Sequence, residues 1–207
     1  MKTNVYVDGF NLYYGCLKNT PYRWLDISKL CSLLLPQNTI NEIKYFTALV
    51  SARPNDPDQP IRQQTYLRAL QTIPNLTVVY GQFLTHKIRM QLAVPTATGQ
   101  KTAEVIKTEE KGSDVNLATE LLIDGFLQRY EVAVVISNDS DLVAPIRAVA
   151  TVLQVPIGIL NPHKHPSREL LKVTKFIKPI RQGVLQNSQF PSMLTDANGT
   201  FSKPNAW

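Results

Sequence analysis

The stretch that most constrains this chain is Val132-Ala133-Val134-Val135-Ile136, five aliphatic residues in a row, followed at once by Ser137-Asn138-Asp139-Ser140-Asp141. An aliphatic run without polar alternation suits a strand buried on both faces, which requires helices on both sides of a parallel sheet. The polar stretch then falls at the carboxyl end of that strand, where open α/β sheets bind their ligands. A second strand of this kind, Val5-Tyr6-Val7, ends on Asp8 and runs into Gly9-Phe10-Asn11. With no His or Cys beside them, these acids suit a hard cation held by oxygen.

The remaining apolar runs alternate with helical patterns, the signature of βαβ units. The pattern predicts strands over 4–7, 42–50, 76–83, 132–136, 156–160 and 176–180. It predicts helices over 27–35, 61–73, 115–128, 142–153 and a short one near 167–173. Pro60 announces the 61–73 helix and Pro74 stops it. The polar segment Arg53–Pro60 reads as a connector. Ala93-Val94-Pro95 and Ala103–Lys107, separated by Thr98-Gly99-Gln100, are expected to pair as an excursion hairpin. After Arg181 periodicity fades, which divides the chain into a domain of residues 1–182 and a loosely structured tail of 183–207. The length, 207 residues, suits one α/β domain with its own core.

No apolar run approaches the ~20 residues of a spanning helix, and the first residues lead into a strand without a signal-peptide pattern. Cys16 and Cys31 lack CxxC spacing and are expected as free thiols, so a cytoplasmic location is expected, with no membrane partner. Net charge is +6. Between Asn161 and Gly183, Lys164, Arg168, Lys172, Lys175, Lys178 and Arg181 face only Glu169, so this segment carries +5 and the rest of the chain +1. A basic strip beside an acidic site suits an enzyme acting on a polyanion; a solvated helix face and edge strand is the plainer reading.

Helical phase brings in a further acid. With Asp114 at 0° and 100° per residue, Leu117, Ala118, Leu121, Leu122 and Gly125 fall around it, so Asp114 shares the apolar stripe and its carboxylate is expected to aim at the sheet. Glu120 and Asp124 fall outside that stripe or at its margin. Each acid also has a simpler explanation as a helix cap or turn residue, but those explanations do not account for Asp8, Asp114, Asp139 and Asp141 meeting at one sheet edge. Two carboxylates ~4 Å apart repel by ~4 kcal/mol at an effective dielectric of about 20, against a total stability of ~5–15 kcal/mol. A divalent cation, Mg²⁺ or Mn²⁺ for an all-oxygen donor set, or protonation must relieve that repulsion. Such an ion activates water and neutralises charge in phosphodiester hydrolysis.

Asp8-Gly9-Phe10-Asn11, Lys111-Gly112-Ser113-Asp114 and Ser137-Asn138-Asp139-Ser140-Asp141 resemble the three signature motifs of the NYN domain, a family of the PIN-like, 5′-nuclease-like ribonuclease group. The resemblance covers roughly residues 2–180. It implies a Rossmann-like three-layer α/β sandwich with a mainly parallel central sheet, a Mg²⁺ or Mn²⁺ site, and RNA as the partner cleaved. By position, Asp8, Asp114, Asp139 and Asp141 correspond to the metal-site acids, and Asn11 and Ser137 to the polar residues that position them. Asn138 stands where the common motif has Gly.

On the physical reading, Asp8 and Asp139 follow buried strands and serve as primary ligands, while Asp114 and Asp141 bind through water or hold a second ion. Asn11 anchors a carboxylate or touches phosphate, and Lys111 is a candidate phosphate contact. His86, His163 and His165 lack zinc-type partners and read as surface groups. Tyr13, Tyr14 and Trp24 suit either base stacking or core packing. The competing function is an RNA-binding regulatory module with weak or partner-dependent catalysis. An aspartyl-phosphate phosphohydrolase is disfavoured because Asp8-Gly9-Phe10 lacks an acid two residues on. The unpaired basic edge is compatible with a homodimer.

Overall fold

The computed structural model describes residues 1–207. Six strands form one parallel sheet: β1 (Lys2–Asp8), β2 (Thr39–Thr47), β3 (Leu76–Tyr80), β6 (Val132–Ile136), β7 (Ile157–Asn161) and β8 (Phe176–Pro179), in the order β3-β2-β1-β6-β7-β8. Successive residues of β1 and β6 point to opposite faces, and both faces are covered. Val5, Val7, Val134 and Ile136 pack in one cluster with Leu30 of α2 (Ile27–Leu34), Leu67 and Leu70 of α3 (Gln59–Leu70) and Leu185 of α7 (Gln182–Asn187). Tyr6, Ala133 and Val135 pack in the other, with Leu117 and Leu121 of α4 (Ser113–Phe126), Ile146 and Val149 of α5 (Val143–Thr151) and Leu170 of α6 (Arg168–Leu171). The result is the expected three-layer α/β sandwich.

Local chemistry sets the helix starts. The Asp26 carboxylate accepts from the Lys29 N–H at 3.0 Å to cap α2, and Pro60 occupies the first turn of α3, where no N–H is needed. The carboxylates that helical phase kept out of the site have a structural role. Asp124 is fully buried and accepts from Lys44 Nζ, Tyr6 Oη and Arg129, while Glu120 also accepts from Lys44. Burial opposes the Asp124 charge, but the bonds from Lys44, Tyr6 and Arg129 outweigh it and hold its pKa below the ordinary carboxylate value.

Three expectations about the fold need correction. The run over 76–83 is not one strand: at Gly81 the chain leaves the sheet. Gln82–Gln91 (β4) then pairs antiparallel with Thr102–Lys111 (β5), from Gln82↔Lys111 to Gln91↔Thr102. The excursion hairpin exists, but its first strand is 82–91 rather than 93–95, and residues 92–101 connect the two strands.

The tail is also not loose. After α7 it forms β9 (Met193–Asp196) and β10 (Gly199–Ser202), an antiparallel pair. Trp24 is buried against Phe190, Phe201 and Trp207, with ring centroids 5.8, 6.4 and 6.3 Å away. Its indole N–H donates to the Pro191 carbonyl at 2.8 Å, and Arg68 grips both Asp196 carboxylate oxygens at 2.7 Å. Burying aromatic side chains at ~1.5–3 kcal/mol each offsets the ordering of this segment. No helix is long and apolar enough to cross a membrane, and both cysteines are free.

Candidate active site

The chain builds the sheet outward from β1 to β3 on one side, then returns to lay β6, β7 and β8 on the other. The strand order therefore reverses between β1 and β6, and their carboxyl ends flank the crevice that such a reversal opens. Asp8 is the last residue of β1, and Ser137 directly follows β6. Asp8 is buried. Its Oδ1 accepts from the Asn11 N–H at 2.9 Å, capping the short helix α1 (Gly9–Leu12), and its Oδ2 accepts from Ser137 Oγ at 3.0 Å. A side chain at Gly9 would place its Cβ 2.7 Å from both the Phe46 carbonyl oxygen and Tyr45 Cζ, so the chain turns here only with glycine.

Ser137 Oγ also accepts from the Asp139 N–H at 3.0 Å, and Asp139 Oδ1 from the Asp141 N–H at 2.9 Å. One hydroxyl thus ties both strand-end acids together. Ser137 is completely buried, so it positions carboxylates and has no surface to offer a substrate. Asn11 Oδ1 accepts from the Asn138 N–H at 2.9 Å and lies 3.1 Å from His163 Nε2. Asn138, where the motif commonly has Gly, donates to the His165 carbonyl at 3.1 Å and accepts from the Ser167 N–H at 2.7 Å. Its side chain fastens the 163–167 loop to the turn after β6.

Asp114 lies in the first turn of α4, one residue past its start, behind Gly112 at φ +98°, a left-handed conformation that glycine adopts without strain. Asp114 is not tucked against the sheet as helical phase suggested; its residue is exposed, and it reaches the site from the rim because the first turn overhangs the sheet edge. Glu110, at the end of β5, accepts from both the N–H and Oγ of Ser113, at 3.1 and 2.7 Å.

Asp8, Asn11, Glu110, Asp114, Asp139 and His163 line one cleft of about 370 Å³. Three of the four expected acids therefore meet. Asp141 is exposed and does not line the cleft, although its charge acts on Asp114. Lys111 is also off the cleft, its ammonium 3.4 Å from Glu109. Glu110 and His163 are site residues that spacing missed. Both are placed by tertiary contacts, and the only sequence signal was Glu110's position next to Lys111-Gly112-Ser113-Asp114. Of the basic segment only His163 lines the cleft, and two of its cations are engaged, Lys172 with Glu169 at 2.6 Å and Lys178 with the Leu34 carbonyl at 2.7 Å.

The acids raise one another's pKa. Burial raises that of Asp8, the bonds from Asn11 and Ser137 partly offset this, and the charges of Asp139 and Glu110 raise it further. Asp114 is pushed up to about 6, first by loss of water in the cleft and then by the charges of Asp8, Asp139, Glu110 and Asp141. This is the repulsion a cation would relieve. No three His, Cys, Asp or Glu side chains are already gathered as a cage. The carboxylate oxygens on the cleft wall are the donor type that Mg²⁺ takes.

The sheet is doubly wound and parallel, with Asp8, Asp114 and Asp139 lining the crevice at its switch point. The chain belongs to the NYN domain family, whose model matches residues 2–185. It is similar to 6-hydroxy-3-succinoylpyridine 3-monooxygenase HspA of Pseudomonas putida, 28% identical over 236 aligned residues that span 100% of this chain and 75% of that protein. Its fold is similar to the crystal structure of a protein of unknown function from Vibrio parahaemolyticus, with a TM-score of 0.57 and 16% identity, over 91% of this chain and 96% of the other.

Proposed function

We propose that this protein is a divalent-cation-dependent ribonuclease that hydrolyses RNA phosphodiester bonds in the cleft between β1 and β6. The observation that carries the reading is the convergence of Asp8, Asp114 and Asp139 on one cleft, with Asp114 pushed up to about 6 by its surroundings and its neighbours' charges. Family membership supports the nuclease class. Asp8 and Asp139 would hold Mg²⁺ or Mn²⁺, with Asp114 joining through water, and the bound ion would activate water and neutralise phosphate charge.

The chain's own residues prepare that chemistry. Ser137 and Asn11 fix the carboxylates in place, so that little reorganisation is left for the moment of reaction. His163 faces the cleft beside Asn11, within reach of a phosphate lodged there. Asp141 adds negative charge felt by Asp114.

Purified protein should cut single-stranded RNA with Mg²⁺ or Mn²⁺, and Asp8→Asn and Asp139→Asn should each abolish cutting while remaining folded. Cutting that persists in both variants, or survives EDTA, rules the reading out. RNA binding without cutting would favour the regulatory alternative.

A second reading rests on the relative named for oxidation of a pyridine and on an aromatic-lined cavity beside the cleft. On that reading the chain takes a small heteroaromatic substrate. It predicts consumption of dissolved oxygen when such a pyridine and a reduced nicotinamide are supplied; oxygen that stays constant eliminates it.

A further inference from the structure

The cavity next to the acid cleft, about 290 Å³, has the opposite character to the cleft. Its walls carry Lys18, Arg23, Arg53 and Arg62 against the single acid Asp56, and its aromatic lining includes Tyr13, Tyr14, Tyr45 and Tyr66. Its size lies near the lower end of small-ligand sites, enough for one ring system and its attached sugar.

Most of its cations are already occupied. Arg62 is held by Asp56, Arg23 donates to the Thr20 and Ala206 carbonyls, and Lys18 lies 4.9 Å from the Tyr14 ring centroid. Arg53 takes part in no ion pair, is exposed, and lines both the cavity and the acid cleft. Tyr14 and Phe10 are shared in the same way.

Two features of the lining lack a structural explanation. Tyr13 and Tyr14 open a single π-helical turn, Tyr13–Leu17, a rare geometry often found at functional sites. It leaves Tyr14 half exposed, edge to face with Tyr13 at 5.3 Å. Tyr45, only 5% exposed, turns its ring to the cavity with its hydroxyl unpaired within the protein, whereas the Tyr66 hydroxyl beside it donates to the Leu25 carbonyl. That hydroxyl is open to the cavity, where water or a ligand can bond it.

We propose that this cavity is a base-binding subsite. It receives an unstacked heteroaromatic base of single-stranded RNA against the tyrosines, while Arg53 holds the adjoining phosphate at the boundary with the acid cleft. This deepens the ribonuclease reading and rests on it: the preferred substrate is single-stranded, with a base splayed out of its stack next to the phosphate being cut. Aromatic side chains and a cation bordering a phosphate track are the usual means of holding single strands.

The test is calorimetric titration with 5′-UMP and 5′-AMP in EDTA, so that the cation site plays no part. Ribose 5-phosphate and nicotinate serve as controls for the anion alone and for a free heteroaryl acid. Nucleotides are expected to bind the wild type and Asp8→Asn equally. Tyr14→Ala should weaken them about 5- to 150-fold, the loss typical of one base–aromatic stack, and Arg53→Ala should weaken nucleotide and ribose 5-phosphate alike. Both substituted residues are exposed, so unchanged melting temperatures will show that the fold is kept. Nucleotides that fail to bind, bind both cavity variants as tightly as wild type, or bind more weakly than nicotinate overturn the subsite. The ribonuclease reading fails separately, if Asp8→Asn still cuts RNA while nucleotide binding follows the cavity variants.

Discussion

Replacing Asp8 by Asn should stabilise the cation-free protein and remove its response to divalent cations. Like charges ~4–6 Å apart repel by about 3–4 kcal/mol at an effective dielectric of about 20. Asp114 is exposed and Asp139 part-exposed, so solvent removes half or more of that repulsion, leaving on the order of 1–2 kcal/mol to recover. The carboxamide oxygen still accepts from the Asn11 N–H, and the new NH₂ meets Ser137 Oγ, which already accepts from Asp139. Reorienting that hydroxyl costs about 0.5–1 kcal/mol. The net is a gain of up to about 1 kcal/mol, or ~2–4 °C in Tm for a domain of this size. A cation at 100 times its Kd should stabilise the wild type by about 2.7 kcal/mol, which reverses the order of the two proteins. Thermal melts by circular dichroism, with EDTA and with Mn²⁺, read both effects. An EDTA melt of Asp8→Asn more than ~5 °C below wild type, or equal Mn²⁺ shifts in the two proteins, would refute the reasoning.

Acids with raised pKa values carry extra protons in the folded state, so their contribution to stability falls as pH rises from about 4 to about 6 and beyond. In EDTA, Asp114→Asn should match wild type near pH 4 and become the more stable of the two by pH 7, because Asp114 ionises at about 6 in the folded protein; urea titrations across that range read the difference. Asn138→Gly removes the side-chain bonds to His165 and Ser167 and should cost about 1–2 kcal/mol, with Mn²⁺ affinity unchanged in titration calorimetry. Lys44→Met strands the buried Asp124 with only Tyr6 and Arg129 and should cost about 3 kcal/mol while the remaining folded protein stays active. Trp24→Ala should cost about 3–5 kcal/mol and loosen the C-terminal segment, seen as faster hydrogen exchange over 190–207.

The six-stranded sheet was legible because its central strands β1, β6 and β7 are buried on both faces and their apolar runs announce themselves. The ribbon was not: β4 has no buried face, so its first residues read as a continuation of β3, and the break rests on Gly81 alone. The tail docks through Phe190, Phe201 and Trp207, which are spaced without period and find Trp24 only in three dimensions. At the site, Asp8 and Asp139 followed from strand ends. Asp114 followed from helical phase, although the first turn overhangs the edge rather than facing the core. Asp141 was the weaker member in sequence, a helix-start acid beside the strand-end Asp139, and the 3₁₀ turn at Ser140–Leu142 leaves it exposed. Glu110 and His163 depend on where the ribbon and the 163–167 loop come to rest, which no local pattern encodes. Tyr13 and Tyr14 line a cavity while Trp24 is core, a division that sequence proximity hid.

The ribonuclease reading requires a divalent cation held by oxygens of Asp8 and Asp139 at the switch point of the sheet. A crystal soaked in Mn²⁺ and measured at the manganese absorption edge tests it most directly. An anomalous peak bridging the two carboxylates, lost in Asp8→Asn crystals soaked in parallel, is the predicted result. A map with manganese elsewhere and none between Asp8 and Asp139 would contradict it.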